Sequence, residues 1–77
     1  MEEYIFNINH GGEIYGVEAQ CMFGVYQFRL SKIELISKFR PKAREVLERE
    51  LDHNPAVADL FFNGSPIVVV GEKEKWL

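Results

Sequence analysis

Apolar side chains alternate with polar ones from the start of the chain. Tyr4, Phe6 and Ile8 interleave with Ile5, Asn7 and Asn9, the period of two that marks a strand with one strongly apolar face. Asn9, His10, Gly11 and Gly12 form a turn signal, because adjacent glycines accept positive φ without a Cβ clash. A second strand is therefore predicted from about Glu13, through Ile14, Tyr15 and Val17. The even positions Tyr26, Phe28 and Leu30 give a third strand, Phe23 to Leu30, with Gln27 and Arg29 on its other side. The join between strands two and three has two readings. Glu18 to Met22 lacks Pro, Asn and Asp, so either a turn falls there or one long strand bends at a bulge near Gly16 or Gly24. A three-stranded meander is the preferred expectation.

The period then changes. Ser31 followed by Glu34 matches a capping box and predicts a helix from Lys32. At about 100° per residue, Ile33, Leu35, Ile36, Phe39, Ala43, Val46, Leu47 and Leu51 fall on one apolar stripe. Pro41 interrupts the hydrogen bonding but not the phase of that stripe. One long helix bent at Pro41, with the proline on its convex, solvated side, is the first expectation, and two helices broken near Arg40 the second. Asn54 can cap a short helix, Pro55 to Phe62, that ends at Gly64. A competing hairpin about Asn63 and Gly64 is opposed by Ser65 and Pro66 in its second arm. Ile67 to Val70 is a continuous β-branched run, as expected of a strand inside the sheet and covered on both faces.

These elements make an α+β fold. A small antiparallel sheet, the meander plus a C-terminal strand, packs against one long Pro41-bent helix and a short second helix. The 77 residues leave room for one domain, with 72–77 as a tail of uncertain order. A chain this short buries only roughly 60 to 65% of its unfolded surface, so its core must be used efficiently. A content of 47% apolar and 13% aromatic residues meets that demand. Cys21 is the only cysteine, which excludes an intramolecular disulfide, and no basic stretch precedes an apolar signal core. Both features point to a cytoplasmic, reducing compartment. The longest apolar runs span four or five residues, so no helix is expected to cross a membrane.

Charge changes the picture. Six of the nine basic residues, Arg29, Lys32, Lys38, Arg40, Lys42 and Arg44, lie between positions 29 and 44 beside one acid, Glu34, although the whole chain carries a net charge of −3. A basic middle between acidic ends can orient a protein on a charged partner, although charges also commonly cover the solvent side of a helix. No catalytic set stands out. His10, Cys21 and His53 lack the spacing of a metal site, and the glycines form no phosphate-binding loop. No cofactor and no enzymatic activity are expected.

What remains is binding. Ile5, Tyr15, Val17, Phe23 and Val25 mix large apolar side chains into more than one sheet face, while a single helical layer covers one face only. The expectation is a small regulator or inhibitor that uses charged and apolar patches on a protein partner, with a second copy of the chain among the candidates. Its candidate contact residues are the basic face Lys38, Lys42, Arg44 and Arg49, with Trp76 as an apolar anchor. Nucleic acid is the alternative partner, held by the 29–44 cations with aromatic stacking. The sequence pI of about 5.3 weakens it.

Overall fold

In the computed structural model, which describes residues 1–32 and 38–71, four strands form one antiparallel sheet in the order β1-β2-β3-β4. The strands are β1 (Glu2–His10), β2 (Glu13–Met22), β3 (Val25–Ser31) and β4 (Ile67–Val70). Between β3 and β4 the chain forms α1 (Pro41–His53) and α2 (Pro55–Phe62), which pack on one face of the sheet. The α+β class and the meander follow from the alternation of Tyr4, Phe6 and Ile8 and of Tyr26 and Phe28, all of which face the helices and are buried.

The core lies between these two layers. Phe6, Val17 and Phe28 from the sheet, Leu47 from α1 and Phe61 from α2 are fully buried. Each large apolar side chain removed from water in this way contributes about 1.5 to 3 kcal/mol. The Phe6 and Phe28 rings meet edge to face at 6.5 Å, and Phe28 stacks on Tyr26 at 5.5 Å.

The β1–β2 hairpin turns at Gly11 and Gly12, with φ of 61° and 82°, as the glycine pair requires. The β2–β3 hairpin turns at Phe23 and Gly24, not within Glu18 to Met22. Met22 pairs with Val25, and the two residues between them have φ of 53° and 76°. Positive φ at both central positions is the pattern of a type I′ turn, whose twist matches that of the flanking strands. β2 therefore continues to Met22.

The helix bent at Pro41 is corrected. Ser31 pairs with Gly16 as the last residue of β3 and Lys32 is in a bend, so the helix does not begin at Lys32. Arg40 is extended (φ −130°, ψ 113°) and Pro41 is the first helical residue. The physical reason is the clash of the proline ring with the preceding residue, which drives Arg40 out of the helical region. At N1 a proline loses no hydrogen bond, since that amide has no helical partner anyway. Ala43, Val46, Leu47 and Leu51 keep the expected stripe. The stripe residues Ile33, Leu35 and Ile36 lie outside the described residues.

Asn54 joins the two helices. Its backbone amide donates to the Glu50 carbonyl, ending α1, and its side chain accepts from the Val57 amide, opening α2. Gly64, with φ of 92°, ends α2 by donating to the Phe61 carbonyl. The helix over 55–62 thus stands, and the hairpin at Asn63 and Gly64 does not form.

β4 corrects a further expectation. Among the described residues it pairs with β3 alone and forms an edge of the sheet, and only one of its faces is covered. Ile67 is buried, whereas Val68 and Val70 are exposed on the opposite face. The helices occupy one side only, so a fully β-branched strand leaves half its side chains in water. No helix among the described residues is long and apolar enough to cross a membrane.

Candidate functional site

Among the described residues, the basic side chains Lys38, Arg40, Arg44 and Arg49 contact neighbours. Arg44 lies 3.6 Å from Glu48 and Arg49 lies 3.5 Å from Glu45, both at the four-residue spacing that the helix makes adjacent. The Arg44 guanidinium also sits over the Phe39 ring at 4.7 Å, and the Lys38 ammonium lies 5.4 Å from the centre of the Tyr4 ring. Lys42 is half-buried on the first turn of α1, with no partner recorded among the described residues. Trp76 lies outside the described residues. The structure thus places Lys38, Arg44 and Arg49 in local pairings and does not gather them into one free cationic surface.

The segment 38–40 has a role that the sequence does not announce. It runs beside β1, where the Ile5 amide donates to the Lys38 carbonyl at 3.1 Å. Arg40 bridges Glu2 at 3.2 Å and donates to the Tyr4 hydroxyl at 3.3 Å, and that hydroxyl donates to the Glu2 carboxylate. The Tyr4 hydrogen bond, aided by Lys38 and Arg40, holds the Glu2 carboxyl below the usual carboxylate range despite slight opposing desolvation. The same bond pushes the Tyr4 phenol up, and the contact with Tyr4 raises Arg40. Phe39 packs edge to face on the buried Phe6 at 6.1 Å. These contacts fasten the segment over the outer edge of β1.

The other end of the sheet is bare among the described residues. The helix-free face carries Met22 (50% exposed), Val68 (67%) and Val70 (72%), with Val25 beside them, and Phe23 at the hairpin tip is 98% exposed. In register, Val25 faces Val70 and Gln27 faces Val68, so the apolar groups form one contiguous corner across β2, β3 and β4. Met22, Phe23, Val25 and Val68, with Gln20 and Gln27, line an open depression of about 380 Å³ there. A wider hollow of about 830 Å³ lies elsewhere, beside Ile14, Tyr15, Leu30 and Lys32. Its more polar lining makes it the weaker candidate.

Phe23 is the most informative residue of this corner. A left-handed backbone is uncommon for any residue but Gly, Asn and Asp, and for a bulky side chain it costs about 1 kcal/mol or more. Here the strain supports an aromatic ring that touches almost nothing in its own chain. Strain of this kind, held beneath an exposed aromatic ring, is an observation that calls for a functional account. The tip is held in place by a close approach from β4. Gly71 donates to the Gly24 carbonyl at 2.6 Å, and a Cβ at position 71 would lie 2.9 Å from both that oxygen and the Tyr26 ring. Position 71 therefore requires glycine.

Of the five residues expected to spread over two faces, Val17 is in the core, Tyr15 packs on Phe62 at 4.6 Å, and Ile5 is half-buried. Phe23 and Val25 remain to make the patch, joined by Met22, Val68 and Val70, which sequence reasoning missed. The available signal was Gly24, since a glycine after an aromatic between two strand periods also fits a hairpin tip.

Among the described residues no charged side chain is buried, and no three His, Cys, Asp or Glu side chains come together as a metal site. Cys21 is buried beneath the sheet. Comparison of the chain with protein-family models, curated proteins and solved structures gives no match.

Proposed function

We propose that this chain is a non-enzymatic protein-binding module, a small regulator or inhibitor whose contact surface is the helix-free corner of its sheet. The observation that carries this reading is Phe23, almost fully exposed on a left-handed backbone and continuous with Met22, Val25, Val68 and Val70. An apolar patch of this kind on a small protein marks an interaction surface. Aromatic side chains are also among the commonest sources of binding energy. Gln20 and Gln27 at its border supply hydrogen-bonding groups without a charge to desolvate. This reading moves the contact surface away from the basic face of α1, where Arg44 and Arg49 are already paired with acids.

The test is selection of binders from a displayed library of random peptides, at protein concentrations low enough to keep the chain monomeric. Extended, apolar-rich peptides are expected, and Phe23→Ser and Val68→Lys should each abolish their binding. Peptides that bind both variants as well as the parent would overturn the assignment of the surface. Salt-sensitive binding of a random single-stranded oligonucleotide, unaffected by Phe23→Ser but lost in Lys42→Glu, would replace a protein partner with nucleic acid.

A further inference from the structure

We propose that the partner for this corner is a second copy of the chain, joined through antiparallel pairing of β4 with β4 about a two-fold axis at Val69. This proposal rests on the protein-binding reading of the same surface and names its occupant.

Hydrogen-bond geometry supplies the first argument. Gly71 donates to the Gly24 carbonyl, and Tyr26 faces Val69. In an antiparallel ladder the direction of the backbone groups alternates, so residues 67, 69 and 71 turn their N–H and C=O toward β3. Val68 and Val70 consequently turn theirs away, off the edge of the sheet. These four groups are self-complementary. With Val69 opposite its own equivalent, Val68 faces Val70 of the second copy, and the amide and carbonyl of each meet those of the other in four hydrogen bonds. Pro66 has the same outward parity and no N–H to offer, so the ladder ends beside Val68.

Side chains and charge agree with this pairing. Val68 would lie beside Val70 of the second copy on the helix-free face, a β-branched cross-strand pair of the kind that stabilises sheets. Val25 of each chain extends the apolar row inward. A two-fold interface must match its own surface, and like charges would oppose it. From position 65 to 71 the chain carries no charge. Natural edge strands that remain unpaired are usually blunted by shortness, lysine, an interior proline or a bulge; β4 is short, at four residues, but carries none of the other three.

The opposite edge is partly closed to a head-to-tail alternative. The amide of Ile5 on β1 is already held by Lys38, with Arg40 fastened to Glu2 and Tyr4. A β4 strand from another copy would have to displace that segment to pair at Ile5, whereas two β4 strands paired about a two-fold axis use each other's edge and close at two chains. The ladder is short and the interface lies at the small end of the usual range, which makes the dimer concentration-dependent.

Sedimentation equilibrium from about 1 μM to about 1 mM tests the association, with amide hydrogen exchange on isotope-labelled protein to locate it. The expected mass rises from the 8.9 kDa chain toward twice that value. Exchange at Val68 and Val70 should slow as concentration increases, whereas Val69, bonded to β3, stays protected throughout. The double variant Val68→Lys, Val70→Lys should weaken dimerisation by about tenfold or more, with an unchanged circular dichroism spectrum. Val68→Thr keeps the backbone ladder and should keep the dimer. A chain that stays monomeric at the highest concentration overturns the proposal, as does a dimer in which Val68 and Val70 exchange freely. If the lysine variants fail to fold, the exchange pattern of the parent chain still decides. Peptide binding lost in Phe23→Ser would survive either negative result, so failure of the second-copy partner is distinguishable from failure of the protein-binding reading.

Discussion

The two edges of the sheet are finished in opposite ways. At β1 the chain returns after β3 and lays residues 38–40 along the strand, with a backbone bond to Ile5, an ion pair to Glu2 and a ring contact to Phe6. At β4 nothing among the described residues returns, and Val68 and Val70 leave both side chains and backbone groups toward solvent. The cost of an open edge is the same at either end of a sheet, since each invites pairing with another chain. That one edge is covered and charged while the other is apolar and open among the described residues is what supports the proposal that the second takes a partner.

The difference can be broken most severely on the covered side. Phe6→Ala removes a fully buried ring that touches both Phe28 and Phe39, and should lower stability by about 3 to 5 kcal/mol in urea denaturation. Loss much below that range would mean that the 38–40 segment is not fixed by this contact. At the bare edge, Gly71→Ala introduces a methyl group against the Gly24 carbonyl and the Tyr26 ring, and should cost about 1 to 3 kcal/mol. It should also shift the amide resonances of Gly24 and Phe23, because β4 positions the tip.

A smaller effect has the opposite sign. Phe23→Asn places a residue that tolerates positive φ at the turn, and should raise stability by about 0.5 to 1 kcal/mol while abolishing peptide binding. A variant that is both less stable and still binding would remove the argument for strain held in the service of contact. The smallest effect is electrostatic. Glu2 has a lowered carboxyl pKa, so its contribution is present above the unfolded-state value and is lost as pH falls through the folded one. The melting temperature of the parent chain should exceed that of Glu2→Gln at neutral pH, and the gap should close between about pH 5 and about pH 3. The pair is exposed, which keeps the difference small.

The sequence made some of these features legible and hid others for physical reasons. Alternation in 4–8 and 26–30 placed the buried face correctly, because a period of two leaves little choice of which side chains meet the core. Asn54 followed by Pro55, and Gly64 after an apolar stretch, located α2 through local capping chemistry. Arg44 with Glu48 and Glu45 with Arg49 were readable because four-residue spacing makes them neighbours. Pro41 misled, since an apolar stripe that keeps its phase does not reveal whether hydrogen bonding continues through it. The extended preference of Arg40, the residue before a proline, was the better guide. The run at 67–70 is apolar on both sides, and periodicity is silent on whether a second layer exists to cover it. The Glu2, Tyr4 and Arg40 cluster joins the chain start to position 40 across the sheet edge, a contact that no local pattern encodes.

The placement of β4 beside β3 has a kinetic consequence. Met22 and Val25 close a turn of two residues, whereas Val25 and Val70 are neighbours across roughly 45 positions of chain, and loop-closure entropy grows with that separation. The meander can therefore assemble from local contacts, whereas docking of β4 carries a larger loop-closure cost that formation of α1 and α2 lowers. Whenever β4 is undocked, the outer side of β3 is itself an unpaired strand, so docking of β4 transfers the exposed edge from β3 to β4.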